Sequence, residues 1–444
     1  MSTSPSNRSA AAAGPQQGRG IHLGYLDGVR GLAALYVLLE HVQLTGLYLI
    51  GADRVAPGTG TPLQHFARFL NAAGLGFGHL AVNVFIVLSG FCLMLPVAQS
   101  SHGRLRGGVG GYVKRRALRI LPPYYAALFV SMVVLLVIFE GNLPALGQWV
   151  SHLLLIHNAT PEWLYGINAP MWSIAVEWQI YFVFALVLLP VWRRLGGAAT
   201  VAVGLALGLA PLYLLPAGRN LEWSSPWYIG LFAFGMVASA ISVRSGGAGR
   251  WARVWWGPAA VLFCVATVAV FFLQRASWFQ QHWAHWLRME HRGGSWLLDV
   301  MVGLAVSCAL LSLSRTVFAG GERRGVNGRL LAVLESRPVG VLGAFSYSLY
   351  LIHSPLLAGL KTAVDALQLS PFAGYATVWV VGVPLGLAGG YLFYLAVERH
   401  CLGAKVNASG AAATLAEESP RGTTGETATA RPLAAVLATA PGTN

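Results

Sequence analysis

The sequence predicts an all-α, polytopic bundle of transmembrane helices, and three observations support this fold class. Hydrophobic residues make up 55% of the 444 residues, whereas charged residues make up 10%, a balance typical of membrane proteins rather than soluble enzymes. The apolar residues also form long stretches, and roughly 20 helical residues are enough to cross the hydrocarbon core of a bilayer. The basic residues lie mostly in the short gaps between these stretches, where they can set the topology.

Ten stretches are long enough to cross a membrane. They lie near residues 29–50, 79–98, 122–140, 172–192, 198–216, 226–243, 254–273, 295–314, 339–360 and 372–397. The shorter apolar segment 145–157 could be a short span or a helix in the membrane interface. If it does not cross, every dense basic cluster falls on the cytoplasmic side, as the positive-inside rule requires. The sequence therefore predicts a multi-pass protein of the cell membrane. It is expected to have about ten spans, with both termini in the cytoplasm.

Composition also predicts the organisation of the chain outside the spans. Residues 1–20 lack the apolar core of a signal peptide, and residues 406–444 have too few large apolar residues to form a core; both are expected to be disordered cytoplasmic tails around one transmembrane domain, 21–405. The net charge is +14, but the basic residues do not lie along one amphipathic face. A lipid bilayer rather than a nucleic acid is therefore the expected partner. The four cysteines show no metal-binding spacing, and no metal site is expected.

Two ionisable residues in the first stretch are the strongest functional signal. A helix turns about 100° per residue, so His41 lies within roughly 20° of Arg30 and about 16 Å further along the axis. Ionisable groups at this depth usually face a bundle interior or a wet cavity. An imidazole can take a proton from a hydroxyl near neutral pH, as acyl transfer requires. The alternative is a structural, hydrogen-bonded His41 with Arg30 reaching the interface. Glu40 points about 100° away and is expected to contact another helix.

A polar stripe in the fourth stretch contains a second candidate, Glu177. Ser173, Glu177 and Tyr181 recur at a spacing of four residues, so they share one helix face. This face could receive an acceptor substrate or form hydrogen bonds between helices. Ser89 is expected to be an interhelical hydrogen-bonder beside the close-packing Gly90, and Asn83 has the same expected role.

Late in the chain, His353 shares a stretch with Ser346, Ser348 and Tyr350. These residues could line the same cavity as His41. A lone histidine in an apolar helix is more often a satisfied core residue, so His353 ranks below His41 as a candidate.

A basic cluster precedes the third stretch. Arg115, Arg116 and Arg119 are followed by the pair Pro122-Pro123, which suits the first turn of a helix, and by Tyr124. Arginine binds phosphate groups in a bidentate manner, so this edge could bind a phosphate-rich substrate such as coenzyme A. It could equally bind anionic lipid headgroups.

Five segments, in order along residues 25–398, resemble the motifs of the acyltransferase 3 family of integral membrane acyltransferases. They are YLDGVRGLAALYVLLEH, VNVFIVLSGFCL, YVKRRALRILPPYY, WSIAVEWQIYFVFALVLLP and FSYSLYLIHSPLL. In that family the first-helix Arg and His are regarded as essential, and the usual activity transfers an acyl group from acyl-CoA to a hydroxyl. The resemblance therefore implies catalytic roles for Arg30 and His41. It also favours acyl-CoA over lipid as the ligand of the basic cluster, that is, of Arg115, Arg116, Arg119 and Tyr124.

The sequence thus predicts a membrane-bound O-acyltransferase with His41, Arg30 and Glu177 as its catalytic candidates. Acyl-CoA is the expected donor, and the acceptor is expected to be a hydroxyl of a carbohydrate, glycolipid or secondary metabolite. The alternative is a proton-coupled transporter, because many spans with intramembrane His and Glu also fit proton transport. A third interpretation is a scaffold that presents an acyl group to another enzyme.

Overall fold

The computed structural model describes residues 23–56, 58–138, 144–215, 218–244, 254–284, 286–287, 296–318 and 323–401. Throughout these residues the secondary structure is helical, without strands, which confirms the all-α prediction. Eight described helices are long and apolar enough to cross a membrane, or nine if a pair bent by 69° counts as one span. The number of crossings and the side of the termini stay predictions, and the expected tails lie outside the described residues.

Sixteen helices are labelled here in chain order. They are α1 Gly24–Leu49, α2 Pro62–Leu70, α3 Gly78–Gln99, α4 Gly108–Ile138, α5 Leu146–Leu153, α6 Pro161–Leu164, α7 Trp172–Val183, α8 Leu189–Leu214, α9 Tyr228–Arg244, α10 Trp256–Leu273, α11 Ser277–His282, α12 Trp296–Phe318, α13 Gly325–Leu334, α14 Arg337–Ala344, α15 Ser346–Ala366 and α16 Pro371–Phe393. The bent pair is α14 and α15. Helix α1 packs against α3, α14, α15 and α16, so the helix that carries Arg30 and His41 lies inside the bundle.

The helical stretch that holds α7 and α8 is 46 residues long and is broken at Gly196. The φ of Gly196 is 81°, in the left-handed region that glycine adopts without strain. Before the break, the ring of Trp172 packs against that of Tyr228 at the start of α9. After the break, Gly208 approaches the backbone of Trp227, directly before α9. Both ends of the stretch therefore meet the same end of α9.

Helices α3 and α9 pack with their backbones in contact. A Cβ added at Gly90 would lie 2.1 Å from the carbonyl oxygen of Phe232, and one at Gly235 would lie 2.0 Å from that of Val87. Small residues allow such close approach between helices in membranes, which confirms the expectation for Gly90. This contact fixes the position of Ser89, the residue before it.

The structure corrects the predicted start of the third stretch and decides whether the short segment 145–157 crosses the membrane. Helix α4 begins at Gly108 rather than near residue 122, so the basic cluster and the proline pair lie within the helix. The glycines at 107 and 108 have positive φ and set the start of the helix. The sequence-based boundary lay later because it followed the apolar residues alone, and the first turns of the helix carry arginines. Helix α5 has eight residues and is about 12 Å long, which is too short to cross a bilayer.

Candidate active site

Arg30 lies in a cavity of about 110 Å³ between α1, α3, α4, α7 and α15, here named the arginine cavity. Its charged lining residues are Arg30, Arg116, Arg119 and Glu177. Two contacts orient the Arg30 guanidinium: Nη1 donates to Asp27 Oδ1 at 2.7 Å, and Nη2 lies 3.7 Å from Cys92 Sγ. With three guanidinium groups against one carboxylate, this cavity suits an anionic ligand.

Glu177 both ties helices together and faces the arginine cavity. The hydroxyls of Ser89 on α3 and Tyr181 on α7 donate to the same carboxylate oxygen, Oε1, the latter at 2.5 Å. The other oxygen, Oε2, accepts no hydrogen bond from the described residues. The polar stripe therefore serves as an interhelical link, and Glu177 also lines the arginine cavity.

His41 lines a neighbouring cavity of about 200 Å³, the histidine cavity, together with Glu40 and His79. Its Nδ1 lies 2.9 Å from the carbonyl oxygen of Val37. A carbonyl oxygen only accepts hydrogen bonds, so Nδ1 carries the proton and Nε2 of the neutral ring keeps its lone pair. Glu40 Oε1 accepts from the backbone N–H of Gly78 at 2.8 Å, which confirms the expected contact with another helix. Its Oε2 lies 3.6 Å from His41 Nδ1.

His353 packs against His41, although the sequence ranked it as a satisfied core residue. The two ring centroids are 4.8 Å apart in an edge-to-face arrangement. His353 Nδ1 bonds to the carbonyl oxygen of Leu349 at 3.0 Å. Its side chain is 1% exposed, and its Nε2 has no hydrogen-bond partner in the described part of the chain. The contact joins residues 312 positions apart, so no local spacing could indicate it.

The predicted donor-binding residues divide into two groups. Arg116 and Arg119 line the arginine cavity. Arg115 instead donates to the carbonyl oxygen of Arg106 at 2.6 Å. Tyr124 is fully buried and donates to the carbonyl oxygen of His152 at 2.8 Å. Neither Arg115 nor Tyr124 is among the described residues that line either cavity.

Asp299, which the sequence did not single out, is a buried carboxylate beside the histidine cavity. Its Oδ1 accepts from Asn83 at 2.7 Å, and its Oδ2 accepts from the indole of Trp227 at 2.8 Å. Its Oδ1 also lies 3.8 Å from Nε2 of His79, a residue of the cavity wall. The interhelical role expected for Asn83 is confirmed. The sequence did contain a signal for Asp299, because an acidic residue within an apolar membrane stretch usually has a functional or structural role.

The helical bundle and its two neighbouring cavities define a class of protein, an integral membrane protein with a half-buried arginine and a half-buried imidazole on one helix. The family model for the acyltransferase 3 family, described as an acyltransferase domain, matches residues 23–395. The chain belongs to this family, and the protein is a membrane acyltransferase. The match includes every residue placed above in the two cavities. Comparisons with curated proteins and with solved structures return no match.

Proposed function

We propose that this protein transfers an acyl group from acyl-CoA to a hydroxyl of a carbohydrate, glycolipid or secondary metabolite. One observation carries the proposal: on a single helix, α1, His41 lines one cavity while Arg30 lines a positively charged cavity next to it. A base and an anion site in neighbouring cavities suit a reaction between a hydroxyl and an anionic acyl donor.

The arginine cavity is the proposed donor site. Coenzyme A carries several phosphate groups, and arginine forks bind phosphate with paired hydrogen bonds. Arg116 and Arg119 would hold these groups at the cavity wall. Arg30 and His41 are about 16 Å apart along α1, and they line different cavities. We therefore assign Arg30 to anchoring of the donor rather than to the reacting carbonyl.

His41 is the proposed general base. Its Nε2 accepts the proton of the acceptor hydroxyl while that oxygen attacks the thioester carbonyl. The tetrahedral intermediate then collapses, the carbon–sulfur bond breaks, and His41 returns the proton to the leaving thiolate of coenzyme A. The Val37 carbonyl holds the ring in the tautomer that this role requires.

The proposal is tested with purified protein in proteoliposomes. Acyl-CoA and a candidate hydroxyl acceptor are added, and free thiol and acylated product are measured together. His41→Ala is expected to lower the rate by about 10²- to 10⁴-fold, the usual contribution of a general base, and Arg30→Ala is expected to weaken acyl-CoA binding. The control is His65→Ala, since His65 is an exposed histidine on α2. Solute flux without consumption of acyl-CoA would instead support a proton-coupled transporter.

A further inference from the structure

The arginine and histidine cavities meet at two residues, Tyr350 and Val82, which line both. The Tyr350 side chain is 7% exposed, and its hydroxyl donates to the carbonyl oxygen of Pro170 at 2.7 Å. A phenol has a single proton, so the hydroxyl of Ser173, also at 2.7 Å, donates to it. The Phe85 ring packs edge-on against the Tyr350 ring at 5.8 Å. The boundary between the cavities is therefore a fixed aromatic ring.

This boundary matters if the donor is anchored at Arg30 and reacts at His41, as the proposed function requires. The two residues lie about 16 Å apart along α1, in different cavities. The acyl group of a donor held by Arg30, Arg116 and Arg119 has to pass the boundary before its carbonyl meets the hydroxyl that His41 deprotonates. A buried aromatic ring at that position leaves less room for a large acyl group than for a small one.

We propose that Tyr350 is a specificity-determining residue, because its ring limits the size of the acyl group that reaches His41. Val82, on the α3 side of the boundary, narrows the same passage. The Tyr350 hydroxyl holds the ring in place through Ser173 and Pro170, whereas the ring itself excludes bulk. The inference rests on the proposed function and adds to it a residue that selects among acyl donors.

The test compares kcat/KM for acetyl-CoA and octanoyl-CoA in the reconstituted full-length protein. In Tyr350→Ala, the ratio of octanoyl to acetyl activity is expected to rise about tenfold or more, since even a single methylene admitted to or refused by a hydrophobic pocket changes kcat/KM by roughly 10–200-fold. Tyr350→Phe keeps the ring and is expected to leave the ratio at the wild-type value. Val82→Ala removes less volume and is expected to raise the ratio by a smaller factor.

Tyr375→Ala is the matched control. Tyr375 is a buried tyrosine on α16 that donates to Gln43 on α1, and it is not among the described residues that line the two cavities. An unchanged ratio in both Tyr350→Ala and Val82→Ala, with wild-type transfer intact, would overturn the role of Tyr350 alone. A wild-type protein that consumes neither acyl-CoA would overturn the proposed function and this inference with it. Val82→Ala keeps the test valid if Tyr350→Ala does not fold.

Discussion

Acid is expected to destabilise the protein through two buried histidines near α5. His152 and His157 are both fully buried, and their rings stack at 3.9 Å with an angle of 7° between planes. His152 Nδ1 bonds to the carbonyl oxygen of Gln148 at 2.8 Å, and its Nε2 lacks a partner within the described ranges. Burial lowers the pKa of His152 from 6.5 to about 4. Burial, together with repulsion from His152, lowers the pKa of His157 to about 3.

The direction in which pH changes the free energy of unfolding follows from the number of protons bound by the folded and unfolded chains. Because the folded pKa values lie below the unfolded value of 6.5, the unfolded chain binds more protons than the folded chain at mildly acidic pH. The contribution to stability is therefore complete above pH 6.5 and is lost as the pH falls from 6.5 towards 4 and 3. At pH 5 the unfolded histidines are almost fully protonated and the folded ones almost neutral, which costs about 2 kcal/mol for each ring and about 4 kcal/mol for the pair.

The free energy of unfolding of the purified protein is measured at pH 8 and at pH 5. The wild type is compared with the double variant His152→Gln/His157→Gln. The double variant is expected to be destabilised less than the wild type between pH 8 and pH 5, by about 4 kcal/mol, because an amide does not titrate. His65→Gln changes an exposed histidine and is expected to retain the wild-type pH dependence. If the double variant is destabilised by acid as much as the wild type, the reasoning about burial of this pair is refuted.

Three further perturbations have defined outcomes. Gly90→Ala should lower the free energy of unfolding by about 1–3 kcal/mol, because its Cβ would lie 2.1 Å from a backbone oxygen of α9; Gly359→Ala, whose Cβ meets nothing within 4 Å, is the control. Asp299→Ala should cost about 1–3 kcal/mol in the same measurement, since two buried N–H donors lose their acceptor. Arg116→Ala should raise the KM for acyl-CoA with little change in kcat, and by more than Arg115→Ala does, because Arg116 lines the arginine cavity.

The sequence predicted the features that depend on local periodicity. The apolar stretches gave the all-α fold class, and the phase of α1 placed Arg30 and His41 on one inward-facing side. Phase does not, however, say which helices surround that side. In the structure Arg30 and His41 line two different cavities, which meet at Tyr350 from α15 and Val82 from α3.

What the sequence could not predict depends on contacts between distant segments. His353 meets His41, and Asp299 meets Asn83, across gaps of 312 and 216 residues. Such contacts are set by the packing of whole helices, which no spacing within one segment records. Arg116 and Arg115 are neighbours in sequence but about 100° apart around α4, and only the position of α4 in the bundle shows which of them reaches the cavity.

The central claim is that His41 acts as the base in transfer of an acyl group from acyl-CoA. Its most direct test is the rate of coenzyme A release by the reconstituted protein, in the presence of a hydroxyl acceptor, for the wild type and for His41→Gln. We expect the wild-type rate to exceed the variant rate by at least about 10²-fold, with both proteins folded to the same extent. Equal rates of coenzyme A release would contradict it.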